Sequence, residues 1–243
     1  MYILNPKKQF IKLDPESFFI NDPNVGAWMF SSGIPEWGHI QWCIDNFINS
    51  EVNFVDIGAH IGTYSWTIAP HAKHTYSFEC NPEVYNCMCA NIFLKDLNHK
   101  ITAYSFGLSS DEGEATYYVR SKDGGGNGFT FLGEKREESS LGTLKLPLKR
   151  LDDLNIENIG LIKIDVEGHE IHVLKGALKT LEKNNWPPIL FESWDEWRET
   201  REHMIPASKL RSELFQFLNN IGYSIVPVGN NSEIFLAEFN RNS

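Results

Sequence analysis

Four carboxylates stand at the ends of short apolar runs. Asp56 lies in Val52-Asn-Phe-Val-Asp-Ile57. Glu79 closes Thr75-Tyr-Ser-Phe-Glu79, Asp165 closes Ile159-Gly-Leu-Ile-Lys-Ile-Asp165, and Glu192 closes Pro187-Pro-Ile-Leu-Phe-Glu192. In an open α/β sheet the ligand crevice lies outside the carboxyl ends of the strands, so these acids are expected around one cleft. After Asp56 the chain passes through Gly58 and Gly62 into a segment that reads as a helix. Gly58 permits backbone angles that a side chain forbids, and Gly62 permits close approach to the first helical turn. The helix start then offers free N–H groups and a positive dipole end to an anionic group. Glu79, about twenty residues further on, is placed to accept hydrogen bonds from two ribose hydroxyls. Together these features read as a nucleoside-binding half-sheet. Behind Asp165, the run Val166-Glu-Gly-His-Glu170 brings more ionisable groups to the same mouth and gives it an acidic rim.

The elements that must position these groups alternate between strand and helix. Residues 1–50 read as an aromatic-rich leader packed on the core, holding Trp28, Trp37 and Trp42 with Phe18, Phe19 and Phe30. Most of these rings are expected to pack on the sheet; the alternative is a cap over the cleft. Glu36 to Ile48 reads as an amphipathic helix entering the domain of residues 51–243. Asn81 is a good N-cap for a helix that starts at Pro82 and runs to Leu94. Ile101 to Phe106 is a third strand, and Ala115–Val119 and Leu144–Leu148 read as added strands. Between the added strands, residues 121–142 contain Gly124-Gly-Gly-Asn-Gly128 and the charged run Glu134–Glu138. This insertion reads either as a mobile loop long enough to act as a lid or as an unordered surface segment. After Asp165 a helix is expected from Glu170, with Val173, Leu174, Ala177, Leu178 and Leu181 at helical spacing. Ser208 to Ile221 reads as an amphipathic helix, and Tyr223–Val228 with Ile234–Phe239 as a closing hairpin. Such alternation implies a mostly parallel sheet with helices on both faces. The hairpin adds one reversed strand.

Several of these stretches resemble a known family. Asp56-Ile-Gly-Ala-His-Ile-Gly62, Lys163-Ile-Asp-Val-Glu-Gly-His-Glu170 and Val173-Leu-Lys-Gly-Ala177 are similar to motifs of the FkbM family of S-adenosylmethionine-dependent methyltransferases. Phe106-Gly-Leu-Ser-Ser-Asp111 and Leu190-Phe-Glu192 are similar to its intervening motifs, and Glu36 resembles an acid that often precedes the first strand. Many members carry Asn where His60 stands, and the glycine-rich insertion looks particular to this chain. The resemblance implies a seven-stranded, Rossmann-like class I methyltransferase fold and O-methyl transfer to a hydroxyl, often on a sugar or natural product. It implies S-adenosylmethionine as cofactor and S-adenosylhomocysteine as product. An acidic cleft suits the positive sulfonium better than it would a pyrophosphate. By this resemblance Glu36, Gly58, Ala59, His60, Gly62 and Thr63 line the amino-acid end of the cofactor, with Asp56 near its ammonium. Glu79, Cys80 and Asn81 hold the ribose side, and Gly107 and Leu108 border the adenine.

Transfer of this kind is an in-line displacement, so positioning carries much of the effect. An alcohol is a poor nucleophile until its proton leaves, which calls for a base or a cation. Asp165 is the first candidate, with Glu192 and His169 behind it. The alternatives are that Asp165 only holds the cofactor's ammonium, that Glu167 caps a helix or meets the substrate, and that His169 is a surface residue. A divalent metal on Asp165 and Glu192 fits the chemistry, though no ligand spacing demands one. Trp194 and Trp197, with Asp195 and Glu196 between them, suit a sugar acceptor: a glycan or glycosylated metabolite. Ordinary packing explains such indoles equally well.

Composition sets the outer limits. The chain has 243 residues and a formal net charge of −10, which disfavours a nucleic-acid backbone as partner. No apolar run is long enough to span a bilayer, and the N-terminus lacks the order of a signal peptide. A soluble, cytoplasmic protein is therefore expected. Cys43, Cys80, Cys87 and Cys89 read as free thiols, Cys87-Met-Cys89 being too tight for a usual zinc pair. The sequon Asn230-Asn-Ser232 matters only in a secreted protein. A nicotinamide-dependent oxidoreductase would want the spacing G-x-G-x-x-G, which Gly58 and Gly62 do not make. A non-catalytic binding module of the same fold is the other rival.

Overall fold

The apolar runs become strands buried on both sides. The computed structural model describes residues 2–4, 10–12, 36–120, 126–129, 141–194, 207–229 and 233–241. In chain order it has an antiparallel pair β1 (Tyr2–Leu4) and β2 (Phe10–Lys12), helix α1 (Trp37–Phe47), β3 (Asn53–Ile57), α2 (Thr63–Ile68), β4 (His74–Phe78) and α3 (Pro82–Leu94). Strands β5 (Ile101–Tyr104), β6 (Gly107–Leu108), β7 (Gly113–Val119), β8 (Gly142–Lys149) and β9 (Ile159–Ile164) follow. Then come α4 (Glu170–Lys175), α5 (Leu178–Lys183), β10 (Ile189–Glu192), α6 (Ala207–Asn220), β11 (Tyr223–Pro227) and β12 (Ile234–Phe239).

Seven strands form the main sheet in the order β5-β4-β3-β9-β10-β12-β11. The pairs among β5, β4, β3, β9 and β10 are parallel, and β12 is antiparallel to both β10 and β11. This is the expected α/β class I methyltransferase architecture with one reversed strand. The chain leaves β3 toward one edge and returns at β9 to build the other. The switch in strand order, and hence the ligand crevice, falls at the carboxyl ends of β3 and β9.

Side chains alternate across the sheet with a period of two. Val55, Ile57, Ile162, Ile164, Ile189 and Phe191 face Val173 and Leu174 of α4, Leu181 of α5, and Leu214 and Leu218 of α6. Phe54, Leu161 and Leu190 face the other way, onto Ile40 and Cys43 of α1 and Tyr64 and Ile68 of α2. Met88 and Ile92 of α3 extend that second layer. Asp56, Lys163, Asp165 and Glu192 have the parity of Phe54, Leu161 and Leu190, so they belong to the α1–α2 side.

Three local expectations need correction. The single helix from Glu170 is broken into α4 and α5 around Gly176, where the Ser109 carbonyl oxygen approaches so closely that a Cβ would overlap it. The third strand stops at Tyr104, and Gly107–Leu108 turns into a second sheet of order β6-β8-β7. Residues 2–4 and 10–12 pair as short antiparallel strands that local reading did not anticipate. The cap of α3 is as expected: Pro82 opens the helix, and the Asn81 side chain accepts the Glu83 amide at 3.1 Å. All four cysteines are free. Among the described residues, no helix is long and apolar enough to cross a membrane. Phe18, Phe19, Trp28, Phe30, Trp197 and the sequon at 230–232 lie outside the described residues, as do 121–125 and 130–140 of the insertion.

Candidate functional site

The turn from β3 into α2 is held by its own amides. Gly58 N and Ala59 N donate to the Phe78 carbonyl at 3.0 and 2.9 Å, and Gly62 N donates to Ala59 O at 2.8 Å. His60, at φ 53°, donates its amide to Glu79 Oε2 at 3.0 Å. Three of these four N–H groups join the turn to the end of β4, and that of Gly62 closes the turn on itself. Gly58 sits at φ 77°, and a Cβ there would lie 1.8 Å from the Asp165 carbonyl oxygen. The glycine thus brings two strand ends together. A Cβ at Gly62 would lie 3.0 Å from Met88 Cγ, so the close approach it permits is that of α3. Buried Asn91 of α3 donates to Ile61 O at 2.9 Å and fixes the turn from that side.

Glu79 is 8% exposed and sits just beyond β4. Its Oε2 takes the His60 amide, and its Oε1 takes the Asn81 amide at 2.8 Å. Burial pushes its carboxyl above the ordinary range, against the pull of those amides, His60 and Lys163. Burial likewise raises the thiol of its neighbour Cys80, which is in hydrogen-bonding contact with the Tyr117 side chain.

Asp56 requires a correction. It is 0% exposed, so its carboxylate has no surface to offer a cofactor ammonium. Ser65 Oγ donates to its Oδ2 at 2.5 Å, and Ser77 Oγ donates to Ser65 Oγ at 2.8 Å. The cation beside it belongs to the protein: Lys163 Nζ lies 3.7 Å from Asp56 Oδ1. Lys163 was missed in the sequence. The available signal was a lone lysine in an apolar strand with an acid in the neighbouring one, because a buried charge needs a partner. Burial disfavours the Lys163 ammonium, yet Asp165, Asp56 and Glu36 together hold its pKa above the ordinary value. Glu36 is exposed at the start of α1, and its Oε2 accepts the Tyr64 hydroxyl at 2.6 Å.

Asp165 keeps 31% of its side chain exposed, with Oδ2 3.2 Å from Lys163 Nζ. The tips of β9 and β10 bring Asp165, Glu167 and Glu192 together, each offering an oxygen within 4.8 Å of the others. Glu167, at φ 56°, also accepts the Gly126 amide on Oε1 at 2.8 Å. The glycine-rich insertion is therefore anchored here through residues 126–129. Tyr118 and Gly128 exchange backbone hydrogen bonds, and the Phe129 ring lies 5.5 Å from that of His169. Next to this turn, buried Glu170 Oε1 accepts the Val166 and Gly168 amides at 3.2 and 3.1 Å. Burial raises the Glu170 carboxyl to about 7.

Four other expected residues are placed as follows. His169 lies outside the acidic trio: its Nε2 is 3.0 Å from Ser109 Oγ, and its ring stacks on His172. Burial, with His172 adding to it, lowers its pKa to about 4. Gly107 and Leu108 are buried, and a Cβ on Gly107 would lie 2.6 Å from the Phe129 ring and 2.8 Å from Leu148. Phe129 of the insertion thus packs on the Cβ side of Gly107. Trp194 is 6% exposed and packs with Ala207 and Leu210, so its ring is a packing group. A cavity of about 610 Å³ borders Trp194, Arg211 and Phe215, and no strand-end acid lines it.

The methyltransferase sdnD of Sordaria araneosa is 30% identical over 208 residues, covering 70% of this chain and 73% of that protein. The hexuronic acid methyltransferase AglP of Haloferax volcanii is 25% identical over 163 residues, covering 65% of this chain and 63% of AglP. The crystal structure of a methyltransferase FkbM from Methylobacillus flagellatus shares the fold with a TM-score of 0.52 and 16% identity, over 78% of this chain and 44% of that one. The chain thus spans less than two thirds of AglP and under half of the Methylobacillus protein. Residues 56–225, which run from the buried aspartate of β3 into β11, match the methyltransferase FkbM domain, and the chain belongs to that family.

Proposed function

We propose that this chain transfers the methyl group of S-adenosylmethionine to a hydroxyl of a neutral sugar, glycan or glycosylated metabolite. Glu79 carries the reading. It stands at the ribose position of the half-sheet, and one backbone amide holds each of its oxygens, leaving a lone pair on each for a ribose hydroxyl. The donor supplies an electrophilic methyl carbon on a sulfonium, and the acids at the tips of β9 and β10 present charge of the matching sign. Backbone of Ala59, His60, Gly62, Thr63, Cys80 and Asn81 completes the donor side, with Glu36 at the rim. Asp165, with one oxygen on Lys163, turns its other oxygen to the donor's ammonium. Glu192, from the adjacent strand, takes the proton of the acceptor hydroxyl, and Glu167 borders the acceptor. Methyl transfer by AglP, named for a hexuronic acid, supports a sugar. The clustered carboxylates favour a neutral one here, since like charges brought together cost several kcal/mol.

Transfer of a tritiated methyl group from the donor to neutral glycans tests this. A base-stable methyl ether on the glycan is the expected product. A base-labile ester, or binding of a nicotinamide dinucleotide in place of S-adenosylhomocysteine, would overturn the reading.

A further inference from the structure

Lys163 meets three oxygens from three parts of the chain. Its Nζ lies 3.7 Å from Asp56 Oδ1 on β3, 3.2 Å from the Gly58 carbonyl in the turn, and 3.2 Å from Asp165 Oδ2 beyond β9. The contacts to Gly58 and Asp165 are hydrogen bonds, and the longer one to Asp56 is an ion pair. Asp56 and Lys163 are direct partners in the β3–β9 register. Below the ammonium lies the ring of Tyr64, with its centroid 5.1 Å away. Lys163 is only 7% exposed, and Asp56 is not exposed at all. Asp56 therefore balances the buried charge, while Lys163 reaches past it to the two groups that face the crevice. Asp165 is the only member of this trio of charges with substantial exposure, at 31% of its side chain.

We propose that Lys163 is a positioning residue: with Asp56 as its fixed counter-charge, it aims the second oxygen of Asp165 and the bend at Gly58 toward the amino-acid end of the bound donor. This rests on the S-adenosylmethionine reading. Simple removal of Lys163 would leave Asp56 buried and unpaired, which by itself unfolds many proteins. The test therefore uses Asp56→Asn as the reference background and adds Lys163→Met, Asp165→Asn, or both. Calorimetric titration of each variant measures two ligands. S-adenosylhomocysteine has the amino-acid end, and methylthioadenosine lacks it. Thermal unfolding checks that each variant is folded.

Adding Lys163→Met is expected to weaken S-adenosylhomocysteine about tenfold and methylthioadenosine less than about twofold. In the presence of Asp165→Asn the further loss is expected to vanish, because both changes remove the same contact. A merely structural lysine would weaken both ligands alike, and its effect would add to that of Asp165→Asn. Either result overturns the proposal while leaving the donor reading intact. Failure of the unmodified protein to bind S-adenosylhomocysteine would overturn the donor reading and this inference with it.

Discussion

Glu170 offers a sharp test of how the acidic turn is built. Its buried carboxylate ties down the amides of Val166 and Gly168, and so shapes the turn that carries Asp165 and Glu167. Burial raises this carboxyl from 4.5 to about 7, against the pull of the backbone amides, with Asp165 adding to the rise. The folded state therefore binds the proton more tightly than the unfolded chain. The stability this group contributes is complete below pH 4.5 and is lost as pH rises through about 7. The difference corresponds to about 3 kcal/mol. Glu170→Gln keeps an oxygen acceptor and removes the titration. Relative to the unmodified protein it should gain about 3 kcal/mol between pH 4.5 and about 8, whatever constant offset the amide introduces. Urea unfolding across that range measures the difference at each pH. His169, lowered to about 4 by burial, loses stability as pH falls and so opposes Glu170 in the total. It is present in both proteins and cancels in the comparison. A stability difference that stays flat across the range would refute the assignment of a buried, protonatable Glu170.

Gly58→Ala should be severe, since the residue sits at φ 77° and its Cβ would overlap the Asp165 carbonyl. A loss of about 3 kcal/mol or more, equivalent to about 6–12 °C in Tm by thermal melt, is expected. Glu79→Gln turns an amide NH2 toward the His60 or Asn81 N–H in a buried place. S-adenosylhomocysteine should then bind about ten- to a hundredfold more weakly by calorimetry, and an unchanged Kd would remove Glu79 from the donor site. Dialysis against a strong chelator should leave the methyl-transfer rate unchanged. A loss restored by magnesium would reassign Asp165, Glu167 and Glu192 to a cation.

Local chemistry in the chain determined a good deal of this protein. Glycine spacing after Asp56 dictated the strand–turn–helix, Asn81-Pro82 dictated the start of α3, and apolar runs ending in acids indicated where a crevice must open. These features depend on neighbours within a few residues, which is why they are legible one segment at a time. What each acid does was decided in three dimensions. The β3–β9 register sets Lys163 against Asp56 and turns that carboxylate inward, although Lys163 and the turn at Gly58 are 105 residues apart. Phe129 docks onto Gly107, and Trp194 packs against Ala207. The helix that periodicity alone would have continued is divided at Gly176, the point where the Ser109 carbonyl comes closest. Each of these outcomes rests on which distant backbone comes within van der Waals reach, and the pattern of a single segment holds no record of that.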